Sequence, residues 1–295
     1  MSIFDIFFGF FKKRDKDINF ILKRLSSLKQ KELDGKYTFK DKAERDTLYK
    51  NLSKMLFNAI KTKNYSIIEK IFSKGFIVFD ELVDQSGYNI VEYTLFNAED
   101  DMFMDLYNTY YDIIIVYFSN IPELFLIAMH KKNWKIVKFF LENTDLSDSL
   151  RKENFADCLF NAIQTNQKDI INIIVKNFAN MIDTRNIEAS IIYLISHAQK
   201  NELNLILSYD EISSKFGKDS VEKLLVFSVI NQNIDALETI ITNKNIEKTI
   251  DELDSDIIKT ILQVACNNNN MSILKVFAKN KKIKDNFGDV LRIEG

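Results

Sequence analysis

The chain has 295 residues, 46% hydrophobic and 28% charged, enough apolar content for a packed core and too much for a disordered polymer. One proline and seven glycines are too few for the turns of a sheet-rich fold and argue for helices. The net charge of −2 is uneven, since residues 1–50 hold 13 Lys/Arg against 8 Asp/Glu, but that excess builds no basic stripe of the kind a nucleic-acid binder needs.

The chain opens with Ile3, Phe4, Ile6, Phe7, Phe8, Phe10 and Phe11, and only then come Lys12, Lys13 and Arg14. A signal peptide has the reverse order, and no apolar run approaches the ~20 residues that span a bilayer, so a cytoplasmic protein is expected. Residues 1–14 fit burial under a cap. They also permit an alternative, a membrane-peripheral adaptor that docks through this segment. Amphipathic spacing predicts one helix within about 15–33, through Ile18, Ile21, Leu22, Leu25 and Leu28, and a second around 41–55, with a break at Gly35. Residues 1–51 then form an N-terminal helical cap, needed because the end of a repeat stack exposes apolar surface.

From residue 52 one pattern recurs. An apolar residue is followed by a small one at +3 and by apolar pairs at +11/+12 and +15/+16. The seven copies start at Leu56, Val91, Phe125, Leu159, Ile192, Leu225 and Leu262, spaced 35, 34, 34, 33, 33 and 37 residues apart. Such spacing describes a short first helix, a turn and a second helix with a wide apolar stripe. Between the helices stand Lys63-Asn64, Lys132-Asn133, Asn166-Gln167, Gln232-Asn233 and Asn269-Asn270, where asparagine is expected to take the left-handed conformation. Asn143, Asn177, Asp210, Asn243 and Asn280 at +18 read as stops of the second helix.

The period, the small residue in the first helix, the run Ile-Val-Lys-Phe-Phe-Leu-Glu-Asn at 136–143 and the segment Asp84-Gln85-Ser86-Gly87-Tyr88-Asn89-Ile90-Val91 resemble the ankyrin repeat family over residues 52–282. The resemblance implies an all-α, ankyrin-like helix-turn-helix solenoid, with residues 283–295 as a C-terminal tail. No copy has the family's Thr-Pro-Leu-His opening and most lack its turn glycines, so its β-hairpin fingers are expected to be loops or extra helical turns.

Sites of chemistry are sparse. His130 and His197 fall two repeats apart, too far to share a metal. Cys158 and Cys266 are 108 residues apart, outside any CxxC or Cys/His cluster, and Cys266 fits a core slot. Trp134 sits at +9, with Tyr65, Ile234 and Met271, where packing is expected. No P-loop, GxGxxG, HExxH or calcium loop occurs, so neither enzyme activity nor a cofactor or metal is expected.

The resemblance further implies that first helices line a concave face, with positions +2 and +5 turned into it. The residues it assigns to partner binding are Tyr93, Phe96, His130, Gln164, His197, Phe227, Ile230 and Asn267, with Tyr93, Phe96, Phe227 and Ile230 as anchors. The expected function is that of a monomeric protein-protein interaction module, either a stoichiometric inhibitor of the immunity type or an effector, binding protein rather than nucleic acid.

Overall fold

The computed structural model describes residues 3–97, 99–118, 120–268 and 270–291, with side chains from residue 17 onward except 114–116 and 290. The Phe-rich side chains on which the membrane-docking alternative rests, Asn269 of the last turn and residues 292–295 of the tail lie outside the described residues. About 78% of the chain is helical and no strand occurs among the described residues, so β-hairpin fingers are absent there. Two compact units make up the chain, Met1–Phe139 and Phe140–Gly295.

The first unit begins with α1 (Ile3–Leu33) and α2 (Phe39–Lys61), turned by Gly35 at φ +68°. Ile18, Ile21, Leu22, Leu25 and Leu28 are all buried, and α1 packs on α2 and on α3 (Tyr65–Phe72). The second cap helix and the first helix of the first repeat are one continuous rod, so the expected boundary at 51/52 falls inside α2. Its start is a capping box, in which Asp41 accepts from the Thr38 N–H at 2.9 Å while the Thr38 hydroxyl accepts from the Asp41 N–H at 3.2 Å. Lys31 of α1 reaches the same carboxylate at 2.6 Å. There follow α4 (Ile90–Phe96), α5 (Asp100–Ile114), α6 (Ile121–His130) and α7 (Trp134–Glu142), the last crossing into the second unit. α2 packs on α4 and α4 on α6. α5 meets α3 through Phe72 and Tyr110, ring centroids 4.5 Å apart, and meets Phe139 of α7 through Tyr107 at 5.1 Å.

The second unit holds α8 (Thr144–Ser147), α9 (Lys152–Gln164), α10 (Lys168–Phe178), α11 (Thr184–Ser196), α12 (Lys200–Leu207), α13 (Asp210–Ser213), α14 (Lys218–Ile230), α15 (Ile234–Ile241), α16 (Lys244–Asp251), α17 (Ser255–Asn267), α18 (Met271–Phe277) and α19 (Lys281–Leu291). α9, α11, α14 and α17 pack in succession, as do α10, α12, α15 and α18. Third helices such as α13 and α16 fill the space where the hairpin fingers were in question.

The +3 residue has a second role beyond its size. In all seven helix pairs its carbonyl accepts the N–H five residues on, from Asn64 to Ala59 through Asn270 to Ala265. This is the C-terminal lock of a Schellman turn. The residue between them is left-handed at Lys63, Lys132, Asn166, Ala198 and Gln232, with φ of 51–57°. Only one of these is asparagine. Elsewhere the asparagine stands one place later: Asn64, Asn133, Asn233 and Asn270 accept the N–H three residues on and cap the second helix. A cap bond contributes about 1 kcal/mol. The +18 asparagines are similar. Asn143, Asn243 and Asn280 follow a second helix but accept the N–H of Leu146, Ile246 and Ile283, opening the third helix, while Asn177 lies inside α10.

The lock also corrects the fifth copy. Gln199 N–H donates to Leu194, so the copy starts at Ile191 rather than Ile192. Ile191, Leu194, Leu203, Ile206 and Leu207 are buried there, while the formerly assigned Asn204 and Ser208 are exposed. Every apolar spine position of the other six copies is buried except the half-exposed Ala278. Polar bonds also link neighbouring copies across 36 to 38 residues. Asn233 Nδ2 donates to Ile195 O at 2.7 Å, Asn243 Nδ2 to Leu207 O at 2.7 Å and Lys215 Nζ to Ala179 O at 2.7 Å.

Asn233→Ala removes both the cap and the bond to Ile195, and is expected to lower urea-derived stability by about 2 kcal/mol; Asn233→Asp keeps the cap acceptor and should lose about half as much. Asp41 is held at about 2, below the ordinary 3.8, first by Lys31 and then by Thr38. Its contribution is complete above the ordinary value and is lost as pH falls through about 2. The stability gap between the wild type and Asp41→Asn is therefore expected to be open at pH 6, to narrow below pH 3.8 and to close as pH falls past about 2.

Candidate functional site

The expected partner-binding residues divide between the two units. In the first, Tyr93 is half-buried with its ring 4.8 Å from Phe57, and Phe96 stacks on Tyr88 at 4.2 Å with Lys131 Nζ 5.1 Å from its ring centroid. His130 is exposed at the end of α6. In the second unit Gln164, His197 and Asn267 are exposed, and the large apolar side chains Phe227 and Ile230 are 37% and 60% exposed on α14. His197 stacks on Tyr193 at 3.9 Å, its Nδ1 2.9 Å from the Tyr193 carbonyl. The register correction puts Tyr193, not the fully buried Leu194, at +2 of the fifth copy, and its ring meets Phe160 of the preceding copy at 5.5 Å.

Two packing expectations change. Cys266 is half-exposed, whereas Cys158 is the fully buried thiol, its pKa pushed up by burial. The +9 residues begin the second helices and stand partly in solvent, with Tyr65, Ile234 and Met271 at 46%, 36% and 42% exposure and Trp134 half-buried. The Tyr65 hydroxyl donates to Asp105 at 2.6 Å. No group of three His, Cys, Asp or Glu residues among those described is arranged to hold a metal ion, and no described helix is long and apolar enough to cross a membrane.

The first unit carries a groove of about 1020 Å³ between α2 and residues 81–86. Its floor is aromatic, formed by Tyr49, Phe57 and Tyr93, and Lys50, Lys54 and Lys61 of α2 line one side. The opposite wall carries Asp84, Gln85 and Ser86. That wall is locally rigid. Asp84 Oδ1 accepts the N–H of Ser86 at 2.8 Å and of Tyr88 at 2.9 Å, and Gly87 supplies the positive φ of +85° that the turn requires. It is also tied to the floor helix, since Arg45 pairs with Glu81 and the Tyr49 hydroxyl accepts the Val78 N–H at 2.9 Å. Burial, with the Asp84 and Glu99 charges behind it, pushes the Tyr93 phenol above its usual range. Of the expected site residues only Tyr93 lines this groove.

Sequence reasoning passed over the groove because the boundary expected at 51/52 put Lys50 in the cap and Lys54 and Lys61 in the first repeat. The i, i+4, i+11 spacing of Lys50, Lys54 and Lys61 around Phe57 was the signal available. No protein-family model matches this chain, and neither does any curated protein or solved structure compared with it.

Asp84→Ala removes the acceptor shared by two backbone N–H groups. Amide hydrogen exchange at Ser86 and Tyr88 is expected to quicken by tenfold or more, about 1.4 kcal/mol, with near-normal protection in Asp84→Asn, which keeps Oδ1.

Proposed function

We propose that the chain is an ankyrin-like helical solenoid of seven divergent repeats and that it works as a protein-binding module, holding its partner against the outward face of the first helices. One observation carries the architectural half of this reading. The same Schellman lock recurs in all seven helix pairs, with buried spine residues in register with it and hydrogen bonds between neighbouring copies. Each helix pair is then a unit that cannot bury its apolar stripe alone and is covered by its neighbours.

The binding half is supported by what the first helices leave outside. Phe227 and Ile230 are large apolar side chains held in solvent on α14, and Val264 of α17 stands 36% exposed. Exposed aromatic and aliphatic anchors on a surface that also presents polar groups such as Gln164, His197 and Asn267 have the composition of an interface. In the first unit Tyr93, Phe96 and His130 take the corresponding places. In this reading the chain carries no cofactor and catalyses nothing. It acts stoichiometrically in the cytoplasm, as an inhibitor of the immunity type or as an effector.

The full chain serves as bait in an extract of its source organism, with retained proteins identified by mass spectrometry and their affinities measured. A Tyr93→Ala, Phe227→Ala double variant of unchanged helicity is expected to bind the retained partner at least tenfold more weakly, about 1.4 kcal/mol or more for two anchors. A partner held equally well by both forms would contradict this face as the binding surface.

A further inference from the structure

The groove of the first unit is lined by three lysines of α2, with Asp46 on the same helix and with Glu81 and Asp84 across from it. Lys50, Lys54 and Lys61 are exposed, and among the described residues none of the three makes an ion pair or a side-chain hydrogen bond. Lys31, by contrast, sits on Asp41, and both Lys63 and Lys135 lie against Asp101. At 100° per residue, Lys50, Phe57, Lys61 and Lys54 fall within about 60° of one another around α2, so three unpaired ammonium groups stand over an aromatic floor on one stripe.

We infer that this groove takes an extended acidic peptide segment bearing a large aromatic or aliphatic residue, the carboxylates meeting Lys50, Lys54 and Lys61 and the apolar side chain resting on Phe57 and Tyr93. The inference rests on the protein-binding reading above and names the chemistry of the ligand at one end of that surface. Three arguments support it. The first is charge complementarity, because unpaired cations beside a desolvated aromatic floor favour anions that arrive with apolar surface. The second is length. A rise of 1.5 Å per helical residue separates the lysines by about 6 Å and then about 10 Å along α2. An extended chain at about 3.3 Å per residue covers those intervals in two and three residues. Acids spaced two and then three residues apart are the matching pattern. The third is the bonding of the opposite wall within the chain itself, through the Asp84–Tyr88 turn and the Arg45–Glu81 pair. A nucleic acid is disfavoured here because Asp46 and Asp84 line the same groove and would face a continuous phosphate backbone.

The test is fluorescence anisotropy of the full chain with a labelled decapeptide carrying acids at its third, fifth and eighth positions and phenylalanine at its sixth. Its companion has the acids replaced by their amides. The acidic peptide is expected to bind saturably and the amide peptide at least tenfold more weakly. A K50E/K54E/K61E variant of unchanged helicity should lose at least tenfold toward the acidic peptide and bind a lysine-substituted version instead. Absence of saturable binding at millimolar peptide, equal affinity for acid and amide forms, or indifference to the charge reversal would overturn the inference. So would a ten-nucleotide thymidine oligomer that displaces the peptide with equal or higher affinity. Failure of the peptide test alongside a partner lost from Tyr93→Ala, Phe227→Ala would leave the protein-binding surface standing on apolar contacts alone. A wild-type chain that retains no partner yet binds the acidic peptide would sink the broader reading and not this one.

Discussion

A helix of eight to thirteen residues with a wide apolar stripe has no stable existence alone in water, because its nucleation cost exceeds what so few backbone bonds return. Two such helices joined by a tight turn still leave one side of the pair uncovered. In the proposed solenoid each pair is sealed by another of similar geometry, which requires the turns to leave their second helices at similar angles. The Schellman lock at the +3 carbonyl supplies that constancy. A single left-handed residue follows it, at an energetic cost of about 1–2 kcal/mol when it is not glycine. Lysine, alanine and glutamine occupy that position at Lys63, Lys132, Ala198 and Gln232, and asparagine only at Asn166, so in most turns the conformation is imposed by the lock and the packing rather than by local preference.

Around the lock, the side chains serve neighbouring pairs as well as their own. Asn233 caps α15 with its oxygen and uses its amide nitrogen to reach Ile195 of the preceding copy; Asn243 caps α16 and reaches Leu207 in the same way. An amide side chain has both an acceptor and donors, which is why asparagine rather than aspartate suits these corners. The small +3 slot admits a hydroxyl where its proton can turn inward, as Thr94 and Ser228 donate to the carbonyls of Val91 and Leu224. The same economy leaves side chains of the first helices free of structural duty, among them the unpaired lysines of α2 in the first unit and the exposed Phe227 and Ile230 of α14 in the second.

The apolar spine was legible in the sequence because a period near 34 repeats enough times to average out local exceptions. Where it slipped, the cause was local. Ile191 and Ile192 are adjacent and equally apolar, and only the hydrogen bond from Gln199 to Leu194 distinguishes the two registers. The asparagines were visible but not their roles, since a residue beside a turn can serve as its left-handed member or as the next helix's cap, and the choice depends on backbone angles. The third helices were hard to foresee for their brevity; four residues, as in α8 and α13, carry less than two turns of pattern. The continuous α2 hid the groove, because a boundary drawn at residue 52 parted Lys50 from Lys54.

The most direct measurement is of spacing within the second unit. Nitroxide labels at Asp169 paired in turn with labels at Asn201, Asp235 and Ser272, equivalent exposed positions of four successive copies, report distances by electron double resonance. A Cys266→Ser background suffices, since the Cys158 thiol is buried. Stacked helix pairs predict separations that lengthen by about one interhelical spacing, 8–10 Å, at each step. A 169–272 distance no longer than 169–201 would mean that the helices close on themselves, and the account would fail.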